Sequence, residues 1–213
     1  MESPTENYKN LKHSLNDTKK ILNRVPKDQC VTLLDQLKVK SYVLLAHAAF
    51  EQYIEELVRE TSHEAHLQLK QKNRICRALL SLISSEATSQ VDDKKARRKI
   101  NASIASNLYK FAEEAKSNLA QDIHENNGVS TNDQEKLLIP IGVDPEQVDL
   151  AVYNALHAFG KKRGEIAHKA KMKIEDTRSS VITDTNEILK GLLNFDIAAC
   201  ANLNEGMSKT RIE

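Results

Sequence analysis

The chain has 213 residues, enough for one domain around a single sizeable core, and its formal charge of +1 gives no global reason to expect nucleic acid or membrane as a partner. Six glycines, four prolines and no tryptophan, in a chain rich in Leu, Ala, Lys and Glu, describe a helical protein rather than a sheet. Cys30, Cys76 and Cys200 are odd in number and in no C-x-x-C pattern, which argues against a disulfide framework or a zinc ribbon and for a reducing compartment.

The opening MESPTENYKN has no apolar targeting core, and no apolar run approaches the ~18 residues of a membrane span, so the expectation is a soluble, cytoplasmic protein away from membranes. A first helix is predicted over about residues 5–25, with Tyr8, Leu11, Leu15, Ile21 and Leu22 at helical spacing until Pro26. A long second helix follows from 28 to about 72, free of Gly and Pro, on which Leu34, Leu37, Val43, Leu44, Phe50, Ile54, Leu57 and Val58 keep one apolar stripe. The short apolar segment RALLSLISSE runs into ATSQVDD, which reads as a loop.

A third long helix is predicted after Asp92 or Asp93 as cap, with Ile100, Ile104, Leu108, Phe111, Ala115, Leu119 and Ile123 stepping by three or four until ENNGVSTND ends it. LLIPIGVDP reads as a compact apolar link, and Pro145 opens a helix carrying Val148, Val152, Leu156 and Phe159. A last helix spans about residues 176–199, with Val181, Thr185, Ile188, Leu192 and Phe195 on one side. The expected organisation is a single all-α domain over residues 1–200, an antiparallel bundle of five or so main helices, with an N-terminal helix inside 1–26 and a frayed tail over 201–213.

Two basic clusters stand out. KKARRK puts Lys94, Lys95, Arg97, Arg98 and Lys99 at the start of a helix, where the macrodipole favours acids; a phosphate-binding surface explains this, as does a solvated face balanced by Asp92 and Asp93. The second is GKKRGEIAHKAK, with six basic residues against one acid between positions 161 and 173. Glu60 with His63 and Glu165 with His168 also match the Glu-x-x-His spacing of di-iron bundles, for which Glu51 and Glu113 or Glu114 would have to supply further ligands, but the first pair lies in a polar run that reads as solvated. His47 and Glu51, four apart beside the apolar stripe, share a helix face, as a structural pair or as part of a site.

In the second cluster, Arg163 and His168 are five apart, about 140° around a regular helix, while Gly164 leaves the position facing His168 empty at a propensity cost of about 1 kcal/mol. Gly160 and Gly164 make a smooth patch if one helix runs through both; otherwise Gly160 ends one helix and another begins near Lys161. Imidazole and guanidinium beside lysines suit metal-free cleavage of RNA. A proton acceptor is needed for the 2′-OH, a donor for the leaving 5′-oxygen, and cationic donors for the phosphorane. One histidine cannot serve both proton roles at once, so a second copy of the site from a dimer partner would complete the chemistry.

RGEIAH after NALHAFGKK, preceded by KLLIPIGVDPEQVD and followed by TNEILKGLLNFDIA, resembles the HEPN superfamily of nucleotide-binding helical bundles, and within it the RiboL-PSP branch. LLAHAAFEQYIEELV is similar to that branch's long early helix, so the resemblance covers about residues 40–198. It implies an all-α bundle whose homodimer joins two Arg-x(4–6)-His motifs in one cleft, and metal-independent, cofactor-free endoribonuclease activity in defence or toxin–antitoxin settings. Carried onto this chain, it makes Arg163 and His168 catalytic. Lys161, Lys162, Lys169 and the cluster of Lys94, Lys95, Arg97 and Arg98 would hold RNA, and Glu51 and His47 would line the cleft or orient Arg163. A cognate antitoxin or activator protein is the further partner this implies. The alternative within the same resemblance is a non-catalytic module that binds nucleic acid or protein on the same surface.

Overall fold

The computed structural model describes residues 1–89, 94–168 and 176–206, with the backbone alone at 94, 96, 97 and 168. Among these residues there are nine α-helices and two short 3-10 segments, and no strand beyond an isolated bridge between Cys76 and Gly206. The helices are α1 (Glu6–Thr18), α2 (Leu33–Lys72), α3 (Arg77–Ser89), α4 (Lys94–Ser106), α5 (Leu108–Glu125), α6 (Thr131–Leu138), α7 (Pro145–Val148), α8 (Leu150–His168) and α9 (Arg178–Asn204).

α2 is the axle of the bundle. Thr32 and Asp35 close a capping box at its start, and Asn73 ends it in the left-handed conformation at φ 48°. Its 40 residues reach about 60 Å, so α1, α3, α5, α6, α8 and α9 can all pack along it. Phe50 meets Phe159 of α8 edge to face at 5.5 Å between ring centroids. α9 lies parallel to α2: the Tyr42 and Thr185 hydroxyls meet at 2.7 Å, and Tyr53 Oη donates to the Leu192 carbonyl at 3.2 Å. α8 runs antiparallel to both, and a Cβ on Gly191 of α9 would stand 2.5 Å from Val152 Cβ, so only glycine admits this approach.

The expected core residues of α1, α5, α8 and α9 are largely buried, but the predicted stripe of α2 is divided. Val43, Phe50, Ile54, Leu57 and Val58 are buried, whereas Leu34, Leu37 and Leu44 face water. Spacing near 3.6 groups residues by face but does not say how many faces are covered, and α2 carries two apolar ones.

The element boundaries depart from expectation for local reasons. The first helix turns to 3-10 at Lys19–Leu22, and the predicted loop after RALLSLISSE begins later, because α3 continues through Ser89. The third predicted helix is two, since Asn107 leaves the helical region and its side chain accepts the Lys110 N–H at 3.0 Å. The link after ENNG contains α6, opened by the capping box of Ser130 and Asp133. Asp149 interrupts the helix begun at Pro145 and takes the Val152 N–H at 3.0 Å. The proposed caps Asp92 and Asp93 lie outside the described residues, as does the tail from 207, but α9 continues through Asn204 with Leu203 buried, so the predicted fraying does not begin at 201. No helix among those described is long and apolar enough to cross a membrane.

Candidate functional site

α8 is continuous through both glycines, so Gly160 does not end a helix. A Cβ at Gly160 would lie 3.8 Å from His47 Nε2, 3.5 Å from Val129 and 4.0 Å from the Ser130 nitrogen, which sets α8 against α2 and the α5–α6 connection. One turn on, nothing stands within 4 Å of where a Cβ on Gly164 would be. The smooth patch is therefore packed at one glycine and open at the other.

Arg163 is half-buried between these positions, and its charge acts on both His47 and Glu51. His47 is 2% exposed. Burial first, then the Arg163 guanidinium, pushes its imidazole down to about 4, with Asp133 pulling weakly the other way. Burial and Glu55 raise the Glu51 carboxyl, Arg163 opposes them, and Asp133 adds to the rise. The His47 Nδ1 to Glu51 Oε2 distance of 3.7 Å would qualify as an ion pair, but a histidine titrating near 4 is neutral at pH 7. The charged partners in this cluster are Arg163 and the carboxylates around it.

Two contributors come from the end of α5 and the start of α6. Asp133 accepts the Ser130 N–H at 2.9 Å, and Asn126 Nδ2 donates to Glu55 Oε1 at 2.8 Å and to the Gly128 carbonyl at 3.2 Å. The sequence reading named neither; Ser-x-x-Asp at 130–133 is the capping signal that would have placed Asp133 at a helix start.

The remaining cations of α8 divide. Lys162 Nζ reaches Asp176 Oδ1 at 2.8 Å and Asp184 Oδ2 at 2.9 Å. Burial alone would lower its pKa, yet hydrogen bonds with these two carboxylates leave it raised. It ties the far end of the α8–α9 connection to α9. Lys161 is exposed. His168 is the last residue of α8, its side chain and the whole of Lys169 lying outside the described residues.

The match to known families is decided at the scale of the whole chain, by the model for RiboL-PSP-HEPN, which fits residues 6–201. The chain belongs to the RiboL-PSP-HEPN family. Comparison with curated proteins and with solved structures gave no match. The span takes in α1, which the sequence resemblance over about 40–198 had left outside, and α1 does pack on α2 and α9.

Within this HEPN bundle the first basic cluster, KKARRK, lies on a different helix from Arg163. Lys95, Arg98 and Lys99 are exposed on α4, which packs against α5, while the side chains of Lys94 and Arg97 lie outside the described residues. Among the described residues no three His, Cys, Asp or Glu side chains converge as a metal site would require, so Glu60 and His63 acquire no further ligands there.

Neutral, buried His47 carries a pH signature. The unfolded chain takes up a proton at this residue below its ordinary value of 6.5, whereas the folded chain does so only near 4, so stability present above pH 6.5 is lost as pH falls towards 4. The loss through this group is up to about 3 kcal/mol, partly offset by Glu51, whose raised pKa acts in the opposite sense. His47→Gln is expected to flatten the fall in urea midpoint between pH 7 and pH 4.5; an unchanged fall would place the titration elsewhere.

Proposed function

We propose that this HEPN protein is a metal-independent endoribonuclease acting as a homodimer. The observation that carries the reading is the placement of Arg163, half-buried against the His47 and Glu51 cluster and five residues before His168 in a chain the family model spans from 6 to 201. A guanidinium held there keeps its fork for a phosphate and loses little freedom when one binds.

In the reaction, an imidazole of one copy withdraws the proton of the ribose 2′-OH and the 2′-oxygen bonds to phosphorus. The bond from phosphorus to the 5′-oxygen breaks, and the imidazole of the other copy protonates that oxygen. The products are a 2′,3′-cyclic phosphate and a 5′-hydroxyl. His168 fills either proton role, and Arg163 stabilises the pentacoordinate phosphate. Lys161 and Lys169 hold the RNA backbone; Lys162, engaged by Asp176 and Asp184, supports the connection that follows α8. The exposed cations of α4 extend the binding surface to a second place, giving salt-sensitive affinity. A defence or toxin–antitoxin setting, with an antitoxin or activator as partner, suits an RNase of this kind.

The test is incubation of the purified protein with structured RNA in EDTA. Cleavage that His168→Ala abolishes, with the dimer intact, is the expected result. Retained binding without cleavage across diverse RNAs would make the chain a non-catalytic binding module instead.

A further inference from the structure

We propose that His157 is a further substrate-binding residue, whose Nε2–H donates to a phosphate of the RNA strand away from the one that is cut. That the strand is RNA rests on the nuclease reading; the placement of His157 does not.

The ring of His157 is fixed by what it accepts. Half-buried on α8 against the start of α6, it takes the Thr131 N–H on Nδ1 at 3.2 Å. Thr131 is the first residue of α6, and the Ser130 hydroxyl is already engaged by the Asp133 N–H at 3.3 Å, so His157 satisfies a helix-start donor that the local sequence leaves open. A neutral imidazole that accepts at Nδ1 carries its proton at Nε2, and the bond it accepts polarises the ring and strengthens that outer donor. Among the described residues nothing accepts from Nε2. A donor of fixed direction is left over at the surface.

Helical register lines this donor up with the end of α8. Positions 157, 161, 164 and 168 fall within about 60° of arc on that helix. Lys161, one turn from His157, is exposed and has no ion-pair partner among the described residues, and nothing stands within 4 Å of where a Cβ on Gly164 would be. Position 168 ends the line about 16.5 Å from position 157. A fixed donor, a free cation and a smooth stretch in that order suit an extended strand that repeats its negative charge at every nucleotide. A lone phosphate would use only one end of the track.

The bond to Thr131 by itself would make His157 a fastening of α6, and two substitutions separate the roles. His157→Asn sets its Oδ1 near the place of Nδ1, keeping an acceptor for Thr131 and deleting the outer donor. His157→Gln carries its amide nitrogen near the place of Nε2 and gives up that acceptor. With fluorescein-labelled single-stranded RNA of about 12 nucleotides in EDTA, His157→Asn is expected to weaken binding about 10-fold, and in steady-state cleavage the loss should fall on KM rather than kcat. The loss should shrink as the strand is cut to a dinucleotide, too short to reach both 157 and 168. His157→Gln should recover most of the affinity while lowering the urea midpoint. A second measurement needs no variant: the His157 Nε2 resonance of the unsubstituted chain should shift when the RNA is added.

Asparagine binding as tightly as histidine, glutamine losing as much affinity as asparagine, or a resonance that stays in place overturns the contact and leaves His157 a fastening of α6. RNA bound in the expected pattern but never cut sinks the nuclease and keeps the contact. RNA cut by His157→Asn with an unchanged KM sinks the contact alone, and no binding of RNA by the unsubstituted chain sinks both.

Discussion

Asp196→Ala is expected to cost about 3 kcal/mol, or roughly 6–12 °C of Tm. Asp196 lies on α9 with no exposure to solvent. Its carboxylate accepts the Thr5 N–H at 3.0 Å, the Thr5 hydroxyl, and more distantly the Tyr53 hydroxyl at 3.4 Å. Thr5 in turn caps α1 by accepting the Tyr8 N–H at 3.2 Å. Removing the carboxylate leaves a buried amide and hydroxyl without their acceptor, while Tyr53 keeps the Leu192 carbonyl. The loss should fall on the attachment of α1. Hydrogen exchange at the start of α1 should therefore speed up more than at the centre of α2, and Thr5→Val combined with Asp196→Ala should cost less than the sum of the two. Strict additivity would mean the two residues stabilise the fold independently.

The contrast between Asp196 and Arg163 marks how much of this protein could be read from its residues. The helical class, the inward faces of α1, α5, α8 and α9, and the family followed from apolar spacing and from the text around RGEIAH, because both are local properties of the chain. In sequence Asp196 is one polar residue in NFDIAA; its importance comes from Thr5, 191 positions away, and no periodicity links them. Lys162 was grouped with its basic neighbours although folding gives it two carboxylates of its own. Conversely, His47 and Glu51 were joined on sound helical grounds, but the neutral state of that histidine depends on burial and on a guanidinium from α8. The breaks at Asn107 and Asp149 were missed because apolar spacing runs on across them, while a short side chain bonds the backbone locally.

Arg163→Ala is expected to lower the turnover of RNA about 100- to 1000-fold while leaving the helical content unchanged. The position is half-buried at the edge of the packed region, so truncation opens little cavity; on the proposed mechanism, what is lost is the charge that would meet the phosphate. Arg163→Lys should recover only a small part, because an ammonium restores the charge without the planar fork that engages two phosphate oxygens. A second readout tests the placement apart from the chemistry. The guanidinium holds both the His47 imidazole and the Glu51 carboxyl lower than they would otherwise be, so its removal should raise both. NMR titration should then find His47 displaced upward from about 4, towards the 6.5 of a free imidazole but short of it, since burial remains the larger cause. Lysine at 163 should undo most of that displacement while undoing little of the catalytic loss, because His47 senses charge at a distance whereas the phosphate requires geometry as well. If alanine leaves the His47 titration where it was, Arg163 does not face the cluster, and the nuclease loses the residue proposed to steady its transition state.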